Sequence, residues 1–153
     1  PLSGFAIKEE YNWALEKMSA STTYGGNPMA CAAGYATLQV FEEENLLENV
    51  NAVGAAVMKR LEDMKERHLI VGDVRGKGLL LAIDLVKDRN SREPFVEAGK
   101  MVYEKAFAKG VAWIPAGNIL RLAPPLIIDR ELALKALEII EESIDETEKH
   151  FGY

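Results

Sequence analysis

Residues 22–28 have the sequence Thr22-Thr23-Tyr24-Gly25-Gly26-Asn27-Pro28. Asn27 followed by Pro28 is a strong helix-start signal, because asparagine caps free backbone N–H groups and proline suits the first helical position. The hydroxyls, the glycines and the helix N-terminus supply three means of holding an anion. From the residues alone, two interpretations remain open: an anion-binding loop, or a capped loop that only joins two helices.

The helix that begins at Pro28 contains mostly small side chains and is predicted to extend to about Glu43 or Glu44. Small side chains allow another backbone to approach closely, so we expect this helix to be buried, within the chain or across a subunit contact, with Cys31 as a packing residue. Hydrophobic periodicity predicts a short helix over 8–18 before the loop. It also predicts a long helix over 46–67, capped by Asn45.

After Ile70 the hydrophobic period changes from that of a helix to that of strands. The predicted elements are, in chain order, two strands or one bulged strand over 71–86, a helix over 94–109, strands over 111–114 and 119–122, and a helix over 129–150. The last helix is expected to bury Leu132, Ala136, Leu137, Ile140 and Ile144 and to present a solvated acidic face. These elements predict a small α+β sandwich of a few strands covered by helices.

Composition limits the possible partners. The chain has 153 residues, 48% of them hydrophobic, and a formal net charge of −6; proteins that bind nucleic-acid backbones present positive faces, so none is expected. The single cysteine, Cys31, allows no internal disulfide and favours a cytoplasmic setting. No apolar run approaches the roughly 20 residues needed to cross a bilayer, so no membrane partner is expected. The opening Pro1-Leu2-Ser3-Gly4 fits a chain that starts inside a longer protein.

Arg121 is the second candidate for a functional side chain. It lies between apolar neighbours in a predicted strand and should point away from Leu120 and Leu122. Its guanidinium can bind a carboxylate through two parallel hydrogen bonds, and that carboxylate belongs either to a ligand or to a structural ion pair. His68 and His150 have no metal-ligand spacing, so neither a zinc site nor a Ser-His pair is indicated.

Three segments follow one another along the chain: Thr22-Thr23-Tyr24-Gly25-Gly26-Asn27-Pro28-Met29-Ala30-Cys31-Ala32-Ala33-Gly34, Val74-Arg75-Gly76-Lys77-Gly78-Leu79 and Leu120-Arg121-Leu122-Ala123-Pro124-Pro125-Leu126. In this order and spacing they resemble the class III aminotransferases, which are pyridoxal-phosphate enzymes of fold type I. The resemblance covers essentially the whole chain and implies α/β to α+β architecture. It implies that residues 1–45 are the tail of the large cofactor-binding domain with a linking helix. Residues 46–153 would be the small C-terminal domain, a short, mostly antiparallel sheet covered by helices.

The resemblance also implies site residues. Thr23, with Thr22 as a lesser candidate, matches the threonine that hydrogen-bonds the cofactor phosphate of the neighbouring subunit, so a homodimer is implied. Arg121 matches the arginine that receives the substrate carboxylate, or an acidic switch residue when no substrate carboxylate is there. No catalytic residue is assigned, because the Schiff-base lysine of the family lies upstream of the segment that matches Pro1. No catalytic role is carried onto Arg75 or Lys77.

Three functions remain open from the sequence. The first is an aminotransferase that moves an amino group between an α- or ω-amino acid, of the 4-aminobutyrate or ornithine type, and a 2-oxo acid. The second is an amino-acid racemase or epimerase of the same family with the same cofactor. The third is a non-enzymatic interaction module. For either enzyme, these residues alone are expected to be inactive without the upstream lysine.

Overall fold

A computed structural model of the chain describes residues 2–16 and 22–153. The chain divides into two compact units, Pro1–Asn45 and Leu46–Tyr153. The apolar core of the described chain lies in the second unit, and so does its sheet.

The first unit contains two helices and one short turn of 3-10 helix. The 3-10 turn covers Glu9–Tyr11, α1 covers Trp13–Glu16 and α2 covers Pro28–Glu43. The single helix predicted over 8–18 is therefore wrong in its described part, which consists of two short turns; residues 17–18 of the predicted range lie outside the described residues. Tyr11 is exposed, and helices this short are marginal in water on their own.

The start of α2 confirms the predicted cap. Asn27 Oδ1 accepts a hydrogen bond from the Ala30 amide at 2.9 Å, and proline occupies the first helical position. Within this chain no residue of α2 is buried, so the expected burial across a subunit contact stays a prediction. Cys31 is exposed and is not a packing residue here. The side chain of Leu2 lies over Gly34, where an added Cβ would come within 2.4 Å of Leu2 Cδ2, and the rest of the helix surface remains accessible.

The second unit is built from three helices and a three-stranded sheet. Its elements are α3 (Leu46–Arg67), β1 (Val71–Lys77), β2 (Leu80–Leu85), α4 (Val96–Ala108), β3 (Ile119–Leu122) and α5 (Arg130–Phe151). The strands are antiparallel in the order β1-β2-β3. This confirms the predicted antiparallel sheet covered by helices, and Gly76-Lys77-Gly78 lies at the turn of the β1–β2 hairpin.

Alternation along the central strand β2 separates the core from solvent. Leu81, Ile83 and Leu85 are buried, whereas Ala82 and Asp84 are only half-buried on the other face. The buried side chains pack with those of α3, α4 and α5. The buried face of α3 consists of Leu46, Val53, Gly54, Val57, Leu61 and Met64.

Two predictions for the second unit are corrected. Residues 111–114 are not a strand, because the Val111 amide bonds back to Ala106 O of α4 at 2.9 Å instead of pairing with the sheet. In α5, Leu132 is exposed and Ala133 is buried. The buried face therefore includes Ala133, Leu137, Ile140 and Ile144. It begins at Ala133, one position after the predicted Leu132.

Two helices rest on turns of the sheet through glycines. A Cβ added to Gly54 of α3 would lie 2.4 Å from Gly78 O in the β1–β2 turn, and one added to Gly99 of α4 would lie 2.1 Å from Gly117 O before β3. Both obstacles are backbone atoms, which cannot rotate away as a flexible side chain can. The absence of side chains at these two positions therefore sets how closely α3 and α4 approach the sheet.

Ion pairs join α4 to α5. Glu146 accepts hydrogen bonds from Lys105 at 2.6 Å and from Lys109 at 2.7 Å, and Glu142 lies 3.1 Å from Lys109. The hydrogen bonds from Lys105 and Lys109 lower the pKa of Glu146 from 4.5 to about 2.

We predict that Gly99→Ala destabilises the second unit by about 1–3 kcal/mol, the usual cost of overpacking. This steric cost must exceed the gain of roughly 1 kcal/mol that alanine brings to a helix interior. Urea unfolding measures the difference. Gly4→Ala is the matched control, because a Cβ at Gly4 meets nothing within 4 Å. A Gly99→Ala variant as stable as the original chain would contradict the close helix–turn contact.

We predict that the stability contributed by Glu146 depends on pH. Because folding lowers the pKa of this carboxyl from 4.5 to about 2, its contribution is complete above about pH 5 and is lost as the pH falls toward 2. The difference in thermal midpoint between the original chain and Glu146→Gln should therefore shrink over this interval. It should also shrink at high salt, because the pair is partly accessible to solvent.

The control for that titration is Glu138→Gln, at an exposed position of α5 with no ion pair to a described residue. Because this substitution breaks no ion pair to a described residue, its midpoint difference gives the baseline for a Glu-to-Gln change on α5. A difference for Glu146→Gln that follows this baseline at every pH would show that the lysine pairs do not stabilise the fold.

Candidate functional site

One face of the sheet carries exposed charged side chains, and we call it the open face. The strand register places Arg75 of β1 opposite Ala82 of β2, and Ala82 opposite Arg121 of β3. Arg75 and Arg121 are exposed, while Leu120, next to Arg121, is buried at 1% exposure. Arg121 therefore points away from the core, on the side opposite Leu120.

The Arg121 guanidinium has no ion pair and no hydrogen bond to any residue that the structure describes. The structural ion pair considered from the sequence is thus not formed in the described chain. An exposed arginine without an internal partner keeps all its donors available for an anion.

Arg121 borders an apolar groove of about 770 Å³ within the second unit. The lining includes Leu80, Trp113, Ile114 and Leu122. Among its described lining residues the charged ones are Arg121 and Lys135. The groove thus combines apolar walls with two cationic residues in its lining, a composition that suits a carboxylate with an attached carbon chain.

A hydrogen-bonded chain of polar side chains occupies the open face beside Arg121. Arg75 Nη1 lies 3.1 Å from Asp73 Oδ2 and 3.3 Å from Asp84 Oδ2. Asn118 Nδ2 donates to Asp84 Oδ1 at 2.6 Å. The hydrogen bond to Asp73 raises the pKa of Arg75 above its ordinary value. Burial alone would raise the pKa of Asp73, but hydrogen bonds from Arg75 and Lys65 bring it below its usual value.

The Thr22–Thr23 hydroxyls lie in the first unit, in the loop before α2. Asn27 folds this loop back, because its Nδ2 donates to Tyr24 O at 2.8 Å, and Gly26 adopts a φ of +71° that favours glycine. Both threonines are exposed, and neither hydroxyl bonds to a residue in the described ranges. Thr22 and Thr23 belong to the first unit, and Arg121 belongs to the second.

The buried charges of the second unit form a cluster that sequence reasoning missed. His68 is buried, with Nδ1 2.8 Å from Glu148 Oε2 and Nε2 3.5 Å from Glu141 Oε1. Arg60 and Arg67 also pair with Glu141, and Glu148 Oε1 accepts the Ile70 amide at 3.0 Å.

The expectation of a fully solvated acidic face on α5 is therefore wrong for Glu141 and Glu148. The spacing contained the signal: these residues follow Leu137 by 4 and 11 positions, on the same helical face. Within residues 2–16 and 22–153, no group of three His, Cys, Asp or Glu side chains is arranged to hold a metal ion. No helix in those same ranges is long and apolar enough to span a membrane.

Comparison with known proteins identifies the family. The sequence profile described as "Aminotransferase class-III" matches residues 1–144. The chain belongs to the class-III aminotransferases.

Two curated relatives show the range of reactions within the family. An alanine/serine racemase from Pyrococcus horikoshii is 45% identical over 84% of this chain, and the match spans 27% of the racemase. An adenosylmethionine-8-amino-7-oxononanoate aminotransferase from Methanocaldococcus jannaschii is 40% identical over 97% of the chain, spanning 34% of that enzyme. The chain thus spans about a third or less of these two relatives.

A solved structure confirms the fold-type-I architecture. It is an amine transaminase from an uncultivated Pseudomonas species in its PLP-bound form, with a TM-score of 0.79 and 36% identity. The superposition covers 86% of this chain and 30% of the transaminase.

Proposed function

We propose that this chain is the C-terminal part of a pyridoxal-phosphate-dependent aminotransferase. The enzyme would move an amino group between an α- or ω-amino acid and a 2-oxo acid. The observation that carries the proposal is the exposed Arg121, which has no partner among the described residues and borders an apolar groove. In the proposed enzyme, 1–45 is the tail of the cofactor-binding domain and 46–153 is the small domain.

Arg121 would bind the substrate carboxylate. A guanidinium presents donors in a planar fork that matches the two oxygens of a carboxylate, and it stays charged at every physiological pH. Because Leu120 anchors the strand in the core while Arg121 faces outward, the guanidinium is held by a rigid element. A fixed carboxylate limits the positions that the amino group of the substrate can take.

Thr23, with Thr22 beside it, would hold the phosphate of the cofactor. Both hydroxyls are exposed and make no hydrogen bond within the described chain, so a phosphate oxygen can accept from them without breaking an internal bond. The N-terminus of α2, at Pro28, follows five residues after Thr23 and favours a nearby negative charge. Pyridoxal phosphate, when bound, supplies the electron sink that such chemistry requires.

The proposed enzyme is a cytoplasmic homodimer in which Thr23 serves the cofactor of the partner subunit. The surface of α2 supports an intersubunit role, because Met29, Tyr35 and Leu38 are exposed on it and its small residues permit a close approach. These exposed apolar side chains are what a contact with a second subunit would cover.

We further propose that residues 1–153 alone catalyse no turnover. The reaction needs a lysine that bonds covalently to the cofactor and moves the α-proton, and the family resemblance assigns that role to no lysine of this sequence. Lys8, which lies directly before the first 3-10 turn, falls after the matching position.

A second candidate is a racemase or epimerase with the same cofactor. It is favoured by the alanine/serine racemase, which is 45% identical to this chain over the matched residues. Carboxylate binding by Arg121 serves both reactions equally. The two differ in where the removed proton returns, either to the other face of the substrate or to the cofactor.

The test uses the longer protein that contains this sequence, loaded with pyridoxal phosphate in D2O. Proton NMR follows the α-proton of single amino-acid enantiomers with and without 2-oxoglutarate. Formation of glutamate from 2-oxoglutarate together with a new oxo acid supports the aminotransferase, for α- and ω-amino acids alike. Exchange of the α-proton with inversion but no new oxo acid supports the racemase. If no amino acid loses its α-proton or its amino group, both the aminotransferase and the racemase are overturned. The 153 residues alone should show no exchange.

We predict that Arg121→Gln in that longer protein raises KM for the carboxylate substrate roughly 10- to 100-fold. This is the range expected when a hydrogen bond to a charged group is lost. Steady-state kinetics with amino acids, and with the corresponding amines that lack a carboxylate, measures the effect. The amines should be affected little.

Thr23→Val is the companion control. It should weaken cofactor retention, measured by dialysis and absorbance, while leaving KM for the carboxylate close to its original value at saturating cofactor. An Arg121→Gln variant that loses activity equally toward acids and amines would remove Arg121 from carboxylate binding.

A further inference from the structure

Asp84 lies diagonally across from Arg121 on the open face. In the β2–β3 register, Asp84 is opposite Ile119 and Ala82 is opposite Arg121. Diagonal neighbours in an antiparallel pair are roughly 7–8 Å apart, within the reach of a long side chain. By register alone, Asp84 is a carboxylate of the chain that can compete with a ligand for the Arg121 guanidinium.

The structure directs Asp84 toward other partners. Arg75 approaches its Oδ2 at 3.3 Å from the β1 side, and Asn118 donates to its Oδ1 at 2.6 Å from the turn before β3. Both oxygens of the carboxylate are therefore engaged. Asn118 is itself fixed, because its Nδ2 also donates to Leu85 O at 3.0 Å and its carbonyl accepts from the Leu85 amide at 2.9 Å.

We propose that Arg75 and Asn118 are positioning residues that hold Asp84 away from Arg121 and so keep the Arg121 guanidinium open to a ligand carboxylate. This rests on the proposed role of Arg121. An internal carboxylate competes at a high effective concentration, because the sheet holds it beside the arginine at all times. Occupying that carboxylate elsewhere is therefore the direct way to preserve a free guanidinium on this face.

Arg75, Ala82 and Arg121 form a cross-strand row on the open face, and the charges around this row agree with the assignment. Arg75 is held by Asp73 as well as by Asp84, so its own charge is compensated within the sheet. Ala82, the residue between Arg75 and Arg121 in the row, is small and leaves space between the two guanidinium groups. Of the two arginines, one is compensated by carboxylates of the chain and the other keeps its donors free.

The test compares four variants: Arg75→Gln, Asp84→Asn, Arg75→Gln/Asp84→Asn and, as the matched control, Arg130→Gln. Arg130 is an exposed arginine at the start of α5 with no ion pair to a described residue. The first readout is the rate at which phenylglyoxal modifies Arg121, located by peptide mass spectrometry. Thermal unfolding of each variant verifies that the sheet is intact.

In Arg75→Gln, the released Asp84 should pair with Arg121 and slow its modification roughly two- to fivefold, the size expected for an exposed ion pair. Removing the carboxylate in Arg75→Gln/Asp84→Asn should restore the original rate. Asp84→Asn and Arg130→Gln should leave the rate unchanged. An unchanged rate in Arg75→Gln would overturn the proposal, and so would a double variant as slow as Arg75→Gln, because the effect would then be a general disturbance of the sheet.

The second readout is kinetic, in the longer protein loaded with cofactor. Arg75→Gln should raise KM for carboxylate substrates by a similar factor without changing kcat, and the double variant should restore it. If Arg121→Gln leaves KM unchanged while Arg75→Gln still slows modification of Arg121, the role of Arg121 in substrate binding fails but the competition by Asp84 stands. If Arg121→Gln raises KM and Arg75→Gln changes neither readout, only the present inference fails.

Discussion

The pairing of the central strand β2 with both of its neighbours determines where every charged group of the second unit lies. Because side chains alternate along a strand, one register assigns Leu81, Ile83 and Leu85 to the core and Ala82 and Asp84 to the open face. A slip of one residue in β3 would bury Arg121 and expose Leu120. Burial of an unpaired guanidinium costs several kcal/mol, so the hydrophobic core and the candidate binding residue enforce the same register.

Charged residues in the second unit serve two different purposes. Glu141 and Glu148 are buried and are compensated by arginines, His68 and a backbone amide; such pairs are costly to break, although replacing them entirely with apolar groups is often neutral. The Lys105 and Lys109 pairs with Glu146 lie nearer the surface and contribute less. Arg121 differs from both groups, since no described residue compensates it. No ion pair of the described chain therefore accounts for an arginine at this position of β3.

Much of the fold could be predicted from the sequence because local signals and burial agree there. The cap at Asn27 follows from the residue types at the start of α2. The bounds of α3 follow from its hydrophobic periodicity. Residues 111–114 had the apolar composition of a strand, but strand formation needs a partner, and the Val111 amide bonds to α4 instead. Burial of α2 could not be predicted from its small residues, because burial depends on which other surface covers the helix. The positions of Thr23 and Arg121 could be anticipated, whereas the hydrogen bonds of Asp84 depend on cross-strand register, which sequence spacing does not specify.

The relatives include an alanine/serine racemase and an aminotransferase, and the proposed role of Arg121 is compatible with both reactions. Each reaction needs the carboxylate fixed and the α-carbon accessible, and a guanidinium on a rigid strand would supply the first without acting on the proton. The proposed competition between Asp84 and a ligand for Arg121 likewise does not depend on the fate of the proton. What separates the two reactions must therefore act at the α-carbon, through the lysine that removes the proton and the groups around it. In the proposed role, the residues of the open face would select for a carboxylate and leave open which reaction follows.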